Sequence, residues 1–128
     1  MIVSLFLVAI LQRPHAAPDP DPLPALQQEA LPVREDLHFP KEKYFGTMRR
    51  LTTQGENAEA YFNWAGDRVV YQATFGGRTC DQIYELDLLT GSRRLVSTGS
   101  GRTTCSFYMP DDQSVIFAST HAASDDCL

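Results

Sequence analysis

Two acidic residues and an amide, Glu56, Asn57 and Glu59, stand directly before an aromatic and β-branched segment of the sequence. Paired carboxylates can act as general acid and base, but only when they face each other across a pocket that separates their pKa values. Their spacing in the chain establishes neither condition. The cluster therefore predicts either a recognition surface for a basic segment or a cation, or polar side chains that hydrogen-bond at strand ends.

The remaining candidates for chemistry form no recognisable catalytic motif. Ser119, His121 and Asp125 have the side chains of a nucleophilic triad, but they lie on one short stretch and no G-x-S-x-G turn is present. The turn at residues 99–101 lacks the lysine of a phosphate-binding loop. We therefore predict that the chain is not an enzyme and uses no cofactor or metal.

The composition is that of an ordinary globular chain, and 128 residues leave room for one modest domain. The formal net charge is −5, and lysines and arginines form no run longer than two residues. Because binding to phosphates requires a basic surface, nucleic acid is excluded as the expected partner.

The N-terminus resembles a secretory signal. An apolar run from Ile2 to Leu11, interrupted by Ser4, is too short to cross a bilayer but has the length of a signal-peptide core. No lysine or arginine precedes it, and the cleavage region near Ala17 contains a bulky His15. We predict a signal peptide at residues 1–17, with a periplasmic or secreted location, so that a membrane is involved only through export. The alternatives are that this segment is a buried strand or that the start codon is mis-assigned.

Prolines dominate the next segment, where seven of the eight in the chain lie between Pro14 and Pro40. A fixed φ and a missing N–H group make such a stretch extended and solvated. Residues 18–45 are therefore predicted to be a disordered Pro-rich linker, with at most a helical turn near residues 26–31. The folded part is predicted to be residues 46–128.

From Gly46 onward the sequence alternates between apolar and polar residues in short runs, which predicts an all-β fold. The predicted strands are residues 49–53, 59–64, 68–75, 81–88, 93–97, 104–109 and 114–119. Within residues 81–88, Tyr84 and Leu86 share one face while Ile83 and Glu85 share the other. This pattern predicts a strand that is buried on one side and partly wet on the other.

The sequence also repeats itself. RRLTTQG at residues 49–55 recurs as RRLVSTG at 93–99, and VVYQAT at 69–74 recurs as VIFAST at 115–120. The offsets are 44 and 46 residues. A period of about 45 residues in an all-strand segment is typical of a four-stranded β-propeller blade.

These motifs, together with IYELDLLTG at residues 83–91, resemble the WD40-like repeat of TolB-type β-propellers. The family's Ser-Pro-Asp-Gly turn is only partly kept, at residues 64–67 and 109–112. The resemblance covers residues 49–120. It implies one antiparallel four-stranded blade at about 59–97 and half of a second at about 104–120, with the aromatic side chains of Tyr61, Phe62, Trp64 and Phe75 packed between blades.

One and a half blades cannot close a ring, since stacked repeats need about three or more units for stability. The expectation is therefore a fragment of a longer protein whose remaining blades lie elsewhere. Assembly of several chains and an unstable gene remnant are the alternatives.

In a propeller of this type, the loop between the second and third strands of a blade opens on the same face as the connection to the next blade. The resemblance therefore implies that Cys80, Cys105 and Cys127 crowd one end. A disulfide between Cys80 and Cys105 is the expected pairing in an exported protein, although the other two pairings stay open. A zinc site formed with His121 is a further alternative, but no C-x-x-C knuckle is present.

The same loop face is the predicted binding site. Its candidate residues are Glu56, Asn57, Glu59, Asp81, Arg102 and His121. We predict an exported, non-catalytic propeller fragment that binds a protein or a small ligand through this face. The alternatives are the propeller portion of a larger exported hydrolase or peptidase, and a small zinc-binding module.

Overall fold

The computed structural model describes residues 7–11 and 35–128, and it confirms the all-β class. Within these residues the chain forms seven strands: β1 (Leu7–Leu11), β2 (Glu56–Phe62), β3 (Arg68–Thr74), β4 (Gln82–Asp87), β5 (Arg93–Leu95), β6 (Thr103–Tyr108) and β7 (Val115–Ser119). A single 3-10 turn, Glu35–Leu37, is the only helical segment in this part of the chain. None of the described residues belongs to a helix that is long and apolar enough to cross a membrane. The predicted turn at residues 26–31 lies outside the described residues, as does most of the predicted signal and linker.

The first sheet is an antiparallel meander with the strand order β2-β3-β4-β5. β3 pairs with β4 along its length, from Arg68 opposite Asp87 to Ala73 opposite Gln82. The Asn63 side chain shapes the β2–β3 turn, because its Oδ1 accepts the N–H groups of Asp67 and Arg68 at 3.0 and 2.8 Å. This side chain therefore supplies the hydrogen bonds that the tight turn needs.

The second sheet has the order β1-β7-β6, so that β7 lies in the middle. β6 and β7 form a hairpin, and β1 pairs with the other edge of β7, from Leu7 opposite Ser119 to Leu11 opposite Val115. Part of the apolar run that resembles a signal peptide is therefore a sheet strand in this structure. A sheet strand was the alternative interpretation of the sequence.

The β6–β7 hairpin packs on one face of the first sheet, which we call the inner face. The apolar contact there consists of Val70, Ile83, Tyr108, Val115 and Phe117. Full burial of side chains of this size contributes about 2 to 3 kcal/mol each. The opposite side, the outer face, carries a second cluster, and its members are Val69, Tyr71, Ala73, Phe75, Tyr84 and Leu86.

β4 is consequently buried on both faces, and the prediction of a partly wet side is wrong. Ile83 is fully buried and Glu85 is only 6% exposed. The hairpin covers this side, and the charge of Glu85 is accommodated by paired side chains rather than by water. Alternation alone could not show this, because a buried ion pair and a solvated acid look the same in sequence.

The first predicted strand, residues 49–53, is also wrong. These residues form no ladder beyond an isolated bridge at Arg49, and Leu51 packs against the outer face. β2 begins at Glu56 rather than at residue 59, and its register shifts between Ala58 and Tyr61.

The aromatic side chains assigned to the core divide into two groups. Tyr61 stacks on Phe107 with ring centroids 4.0 Å apart, and Phe75 is buried. Phe62 and Trp64 are instead 65% and 72% exposed, so they are not part of the core of the described residues, and their packing between blades stays a prediction.

Candidate functional site

A disulfide fixes one end of the two sheets. It joins Cys80 to Cys127 with Cα atoms 5.4 Å apart, and Cys105 is free and exposed. The predicted Cys80–Cys105 pairing is therefore wrong. Cys105 lies in the register shift of β6 with a left-handed φ of 53°, whereas residues 120–128 fold back and bring Cys127 to Cys80. We call the loops at residues 75–81, 97–102 and 120–128 the disulfide end.

Asp81 connects the first of these loops to both sheets. Its carboxylate accepts a hydrogen bond from Thr74 Oγ1 at 2.6 Å, and its carbonyl accepts the N–H and the hydroxyl of Thr103 at 2.9 and 3.0 Å. The side chain that was predicted to bind a ligand therefore has an internal partner.

Backbone contacts hold the other two loops together. The Thr120 N–H donates to the carbonyl of Arg102 and the Arg102 N–H donates to the hydroxyl of Thr120, both at 3.0 Å. The Gly101 N–H donates to the carbonyl of Asp125 at 2.9 Å. Gly101 has a φ of 63°, and a Cβ atom here would lie 2.8 Å from the backbone nitrogen of His121. Only glycine permits this close approach without a shift of the chain.

Gln82 is a positioning residue that the sequence analysis missed. It is 1% exposed, its Oε1 accepts Ser97 Oγ at 2.7 Å and the Gly99 N–H at 3.1 Å, and its Nε2 donates to the carbonyl of Gly101 at 2.7 Å. Burial of an amide is costly unless it is fully bonded, and here it fixes the connection from β5 to β6. An amide at the start of an apolar strand was the signal available in the sequence.

Five charged side chains at the disulfide end have no hydrogen-bond or ion-pair partner among the residues that the structure describes. They are Glu56, Arg78, Arg102, Asp125 and Asp126; Arg78 is half-buried and the other four are exposed. Glu56 lies here because it pairs with Thr74, which contacts Asp81. The loop backbone is thus fixed while three acidic groups and Arg102 stay exposed, with the half-buried Arg78 beside Gly99.

His121 lies at the same end but makes a local contact. Its Nδ1 is 2.6 Å from Ser119 Oγ, and its N–H donates to the same oxygen at 3.2 Å. Ser119 is only 6% exposed, so a substrate could not reach its hydroxyl in this arrangement. The Ser119–His121 pair therefore closes a turn rather than forming an accessible nucleophile.

The structure divides the six predicted binding residues between two places. Glu56, Asp81, Arg102 and His121 lie at the disulfide end. Asn57 and Glu59 instead line a cavity on the outer face of the first sheet. Glu56 and Asn57 are neighbours in β2, and their side chains point to opposite faces because successive side chains of a strand alternate. Glu59 follows two residues later, within the register shift between Ala58 and Tyr61.

The opposite end of the sheets, the turn end, comprises residues 63–67, 87–92 and 109–114. Its acidic groups bind the turns themselves. Asp87 Oδ1 accepts the N–H groups of Thr90 and Leu89 at 2.8 and 2.9 Å, and these bonds, that from Thr90 first, hold the pKa of Asp87 below its ordinary value. The N–H groups of Gln113 and Ser114 lower the pKa of Asp111 in the same way.

Asp112 joins the two sheets at the turn end. Its carboxylate accepts the N–H groups of Trp64 and Ala65 at 2.8 and 2.9 Å and the side-chain amide of Asn63 at 3.1 Å. Arg68 donates to the carbonyl of Asp112 at 3.0 Å. The β2–β3 turn and the β6–β7 turn, one from each copy of the repeat, are therefore joined through Asp112.

A buried ion network lies between the two ends. Glu85 accepts hydrogen bonds from Arg94 at 2.7 and 3.0 Å and from the hydroxyl of Tyr108 at 2.8 Å, and Arg68 is 3.5 Å away. Burial alone would raise the pKa of Glu85, but these hydrogen bonds and the two guanidinium charges together hold it below its ordinary value. Burial, and then the bond to Glu85, raises the pKa of the Tyr108 hydroxyl.

The zinc alternative gains no support from this geometry. Two of its four proposed ligands, Cys80 and Cys127, are joined to each other. Across residues 7–11 and 35–128, no group of three or more histidine, cysteine, aspartate or glutamate residues is arranged to hold a metal ion.

Comparison with models of protein families, with curated proteins and with solved structures gives no match to this chain. Membership of the TolB-type propellers is therefore still a prediction from the sequence motifs.

Proposed function

We propose that this chain is a non-catalytic binding module of the β-propeller type, related to TolB-like repeats, and that its disulfide end binds a positively charged segment of a partner protein. Two features support the propeller assignment. The first sheet is a four-stranded antiparallel meander, the arrangement of a blade. The β6–β7 hairpin, which carries the repeated VIFAST motif, packs on the face of that meander.

The proposed binding function rests on the unpaired charges at the disulfide end. Loops that are held rigidly while their charged side chains stay exposed lose little conformational entropy on binding, which favours affinity. Three of the five unpaired groups, Glu56, Asp125 and Asp126, are acidic, and the chain as a whole has a net charge of −5. A partner with complementary positive charge would be attracted at long range and oriented at this end.

The burial of Ser119 supports binding rather than hydrolysis at this end. No observation in the described residues favours the hydrolase alternative. The Cys80–Cys127 disulfide supports an oxidising compartment, because such bonds persist outside the cytosol. This agrees with the predicted periplasmic or secreted location.

Photo-crosslinking from two matched positions would test the proposal. Ala122 is exposed at the disulfide end and Ala65 is exposed at the turn end, so one photoreactive residue can replace either without removing a charge. We expect a discrete crosslinked protein from position 122, competed by excess unmodified chain, and none from position 65. The same product from both positions, or a product that persists when Asp125 and Asp126 are changed to lysine, would contradict the assignment.

A further inference from the structure

The outer face of the first sheet contains a cavity of about 160 Å³. Val69, Tyr71 and Leu86 line it and are at most 3% exposed, and Leu51 from the preceding segment packs beside them. A cavity of about 150 Å³ with such a lining holds one benzene-sized molecule. The space therefore suits one ring or a short branched chain.

Tyr71 contributes an aromatic ring to this apolar lining. The residue is 2% exposed, and its hydroxyl makes no hydrogen bond in the structure. Burial, the largest influence, raises the pKa of Tyr71, and the Arg93 guanidinium opposes this rise without forming a hydrogen bond of normal geometry. The hydroxyl is enclosed beside Arg93 and does not open into the cavity, so Tyr71 contributes its aromatic ring to the lining.

Glu59 supplies a charge where the cavity opens. It lines the cavity, yet it is exposed, and its carboxylate makes no hydrogen bond or ion pair with any residue that the structure describes. Its backbone has a left-handed φ of 49°, which is unusual for a residue with a side chain. The β2 register shift holds it there, next to exposed Asn57.

We propose that this cavity binds small organic amines, with the ammonium group beside Glu59 and a single-ring or branched apolar body against Val69, Tyr71 and Leu86. A neutral molecule of the same shape would bury the same apolar area but lack the attraction to the carboxylate. An anion of that shape would be repelled. This cavity is separate from the disulfide end, so a failure of either binding proposal would not refute the other.

Three compounds of nearly equal shape test the proposal on the full chain: benzylamine, benzyl alcohol and benzoate. Backbone amide resonances followed by NMR report where each one binds. We expect benzylamine to give saturable shifts at Leu51, Ala60 and Leu86, with a dissociation constant at least tenfold lower than that of benzoate. Added salt should reduce this preference, because the charged contact is exposed. Equal affinity for benzylamine and benzoate, or no saturable shift at the cavity, would overturn the proposal.

Two substitutions separate charge from shape. Glu59→Gln should weaken benzylamine binding about threefold to fivefold and leave benzyl alcohol unchanged, whereas Glu56→Gln, on the same strand but outside the cavity, should change neither. Ala60→Leu should fill the cavity and prevent binding of both compounds. Unchanged benzylamine affinity in Glu59→Gln, or unchanged binding in a folded Ala60→Leu variant, would contradict the assignment.

Discussion

The two ends of the paired sheets use acidic side chains in opposite ways. At the turn end, Asp87, Asp111 and Asp112 accept backbone N–H groups and are part of the fold. At the disulfide end, Asp125 and Asp126 are exposed and have no partner in the described residues, while a disulfide and backbone hydrogen bonds fix the loops beneath them. A similar composition therefore serves structure at one end and leaves carboxylates without partners in the described residues at the other.

This difference shows what makes a loop suitable for binding. Loops that are stabilised by their own side chains have few groups left for a partner. At the disulfide end the bonds that hold the loops come from the disulfide, from the backbone and from side chains such as Asp81, Thr120 and Gln82, which leaves the carboxylates of Asp125 and Asp126 unpaired in the described residues.

Loss of the disulfide should have the largest effect. The bond links residues that are 47 apart in sequence, and loop-closure entropy for such a span gives a stabilisation of about 4 kcal/mol. Replacing Cys80 and Cys127 by alanine should lower the free energy of unfolding in urea by about that amount. Cys105→Ala is the control and should change it little, because this thiol is exposed and unpaired. Equal losses in the two variants would show that the pairing is wrong.

Glu85→Gln should have the next largest effect, because the network lies between the ends and joins both sheets. The change leaves Arg94 and Arg68 without their buried counter-charge, which should cost about 2 to 3 kcal/mol. Glu56→Gln removes an exposed, unpaired carboxylate and should lie within about 0.5 kcal/mol of the unmodified chain. Chemical denaturation of the two variants measures both values, and a stable Glu85→Gln chain would contradict the role of the network.

The comparison of ends predicts unequal effects for two alanine substitutions. Asp112→Ala removes the acceptor of three hydrogen bonds and should cost about 1 to 2 kcal/mol. Asp126→Ala should cost less than about 0.5 kcal/mol, since its carboxylate supports nothing in the described fold. Thermal unfolding of both variants provides the measurement. If Asp126→Ala were the more damaging change, the division between a structural end and a binding end would be wrong.

A smaller effect is expected from pH. The pKa values of Glu85 and Asp87 are below their ordinary values of 4.5 and 3.8 in the folded chain. Their stabilisation is therefore fully present above the unfolded-state pKa values and is lost as pH falls through the lower folded-state values. Urea unfolding from pH 6 to pH 2.5 should show stability declining below about pH 4.5. The decline should be shallower in Glu85→Gln.

The strands were predictable where a local pattern and a neighbouring strand agree. β3 and β7 follow period-two runs and occupy nearly the predicted residues. The RRL motif shows the limit of this signal. At Arg93–Leu95 it forms β5 because β4 lies beside it, whereas at residues 49–51 the same letters have only an isolated bridge at Arg49 and form no strand. The local sequence sets the tendency to form a strand, and pairing with a neighbouring strand decides whether that strand forms.

The candidate site was less predictable than the strands because it depends on the paths that the loops take. The position of Cys127 beside Cys80 follows from the fold-back of residues 120–128, which carries no periodic signal. The left-handed backbone of Glu59 depends on a one-residue irregularity in β2 that a period-two pattern does not show. The pairing of Glu85 with Arg94 and Tyr108 requires a hairpin that is distant in sequence.

The central claim is that the disulfide end, and not the turn end, recognises positive charge. The most direct test is an NMR titration of the full chain with a lysine-rich peptide and with a matched glutamine-rich peptide, at low and high salt. We predict salt-sensitive shifts for the lysine-rich peptide at Arg102, Asp125 and Asp126, absent when both aspartates are replaced by asparagine. Equal shifts at Asp67 and Asp111, or equal binding of the glutamine-rich peptide, would contradict the claim.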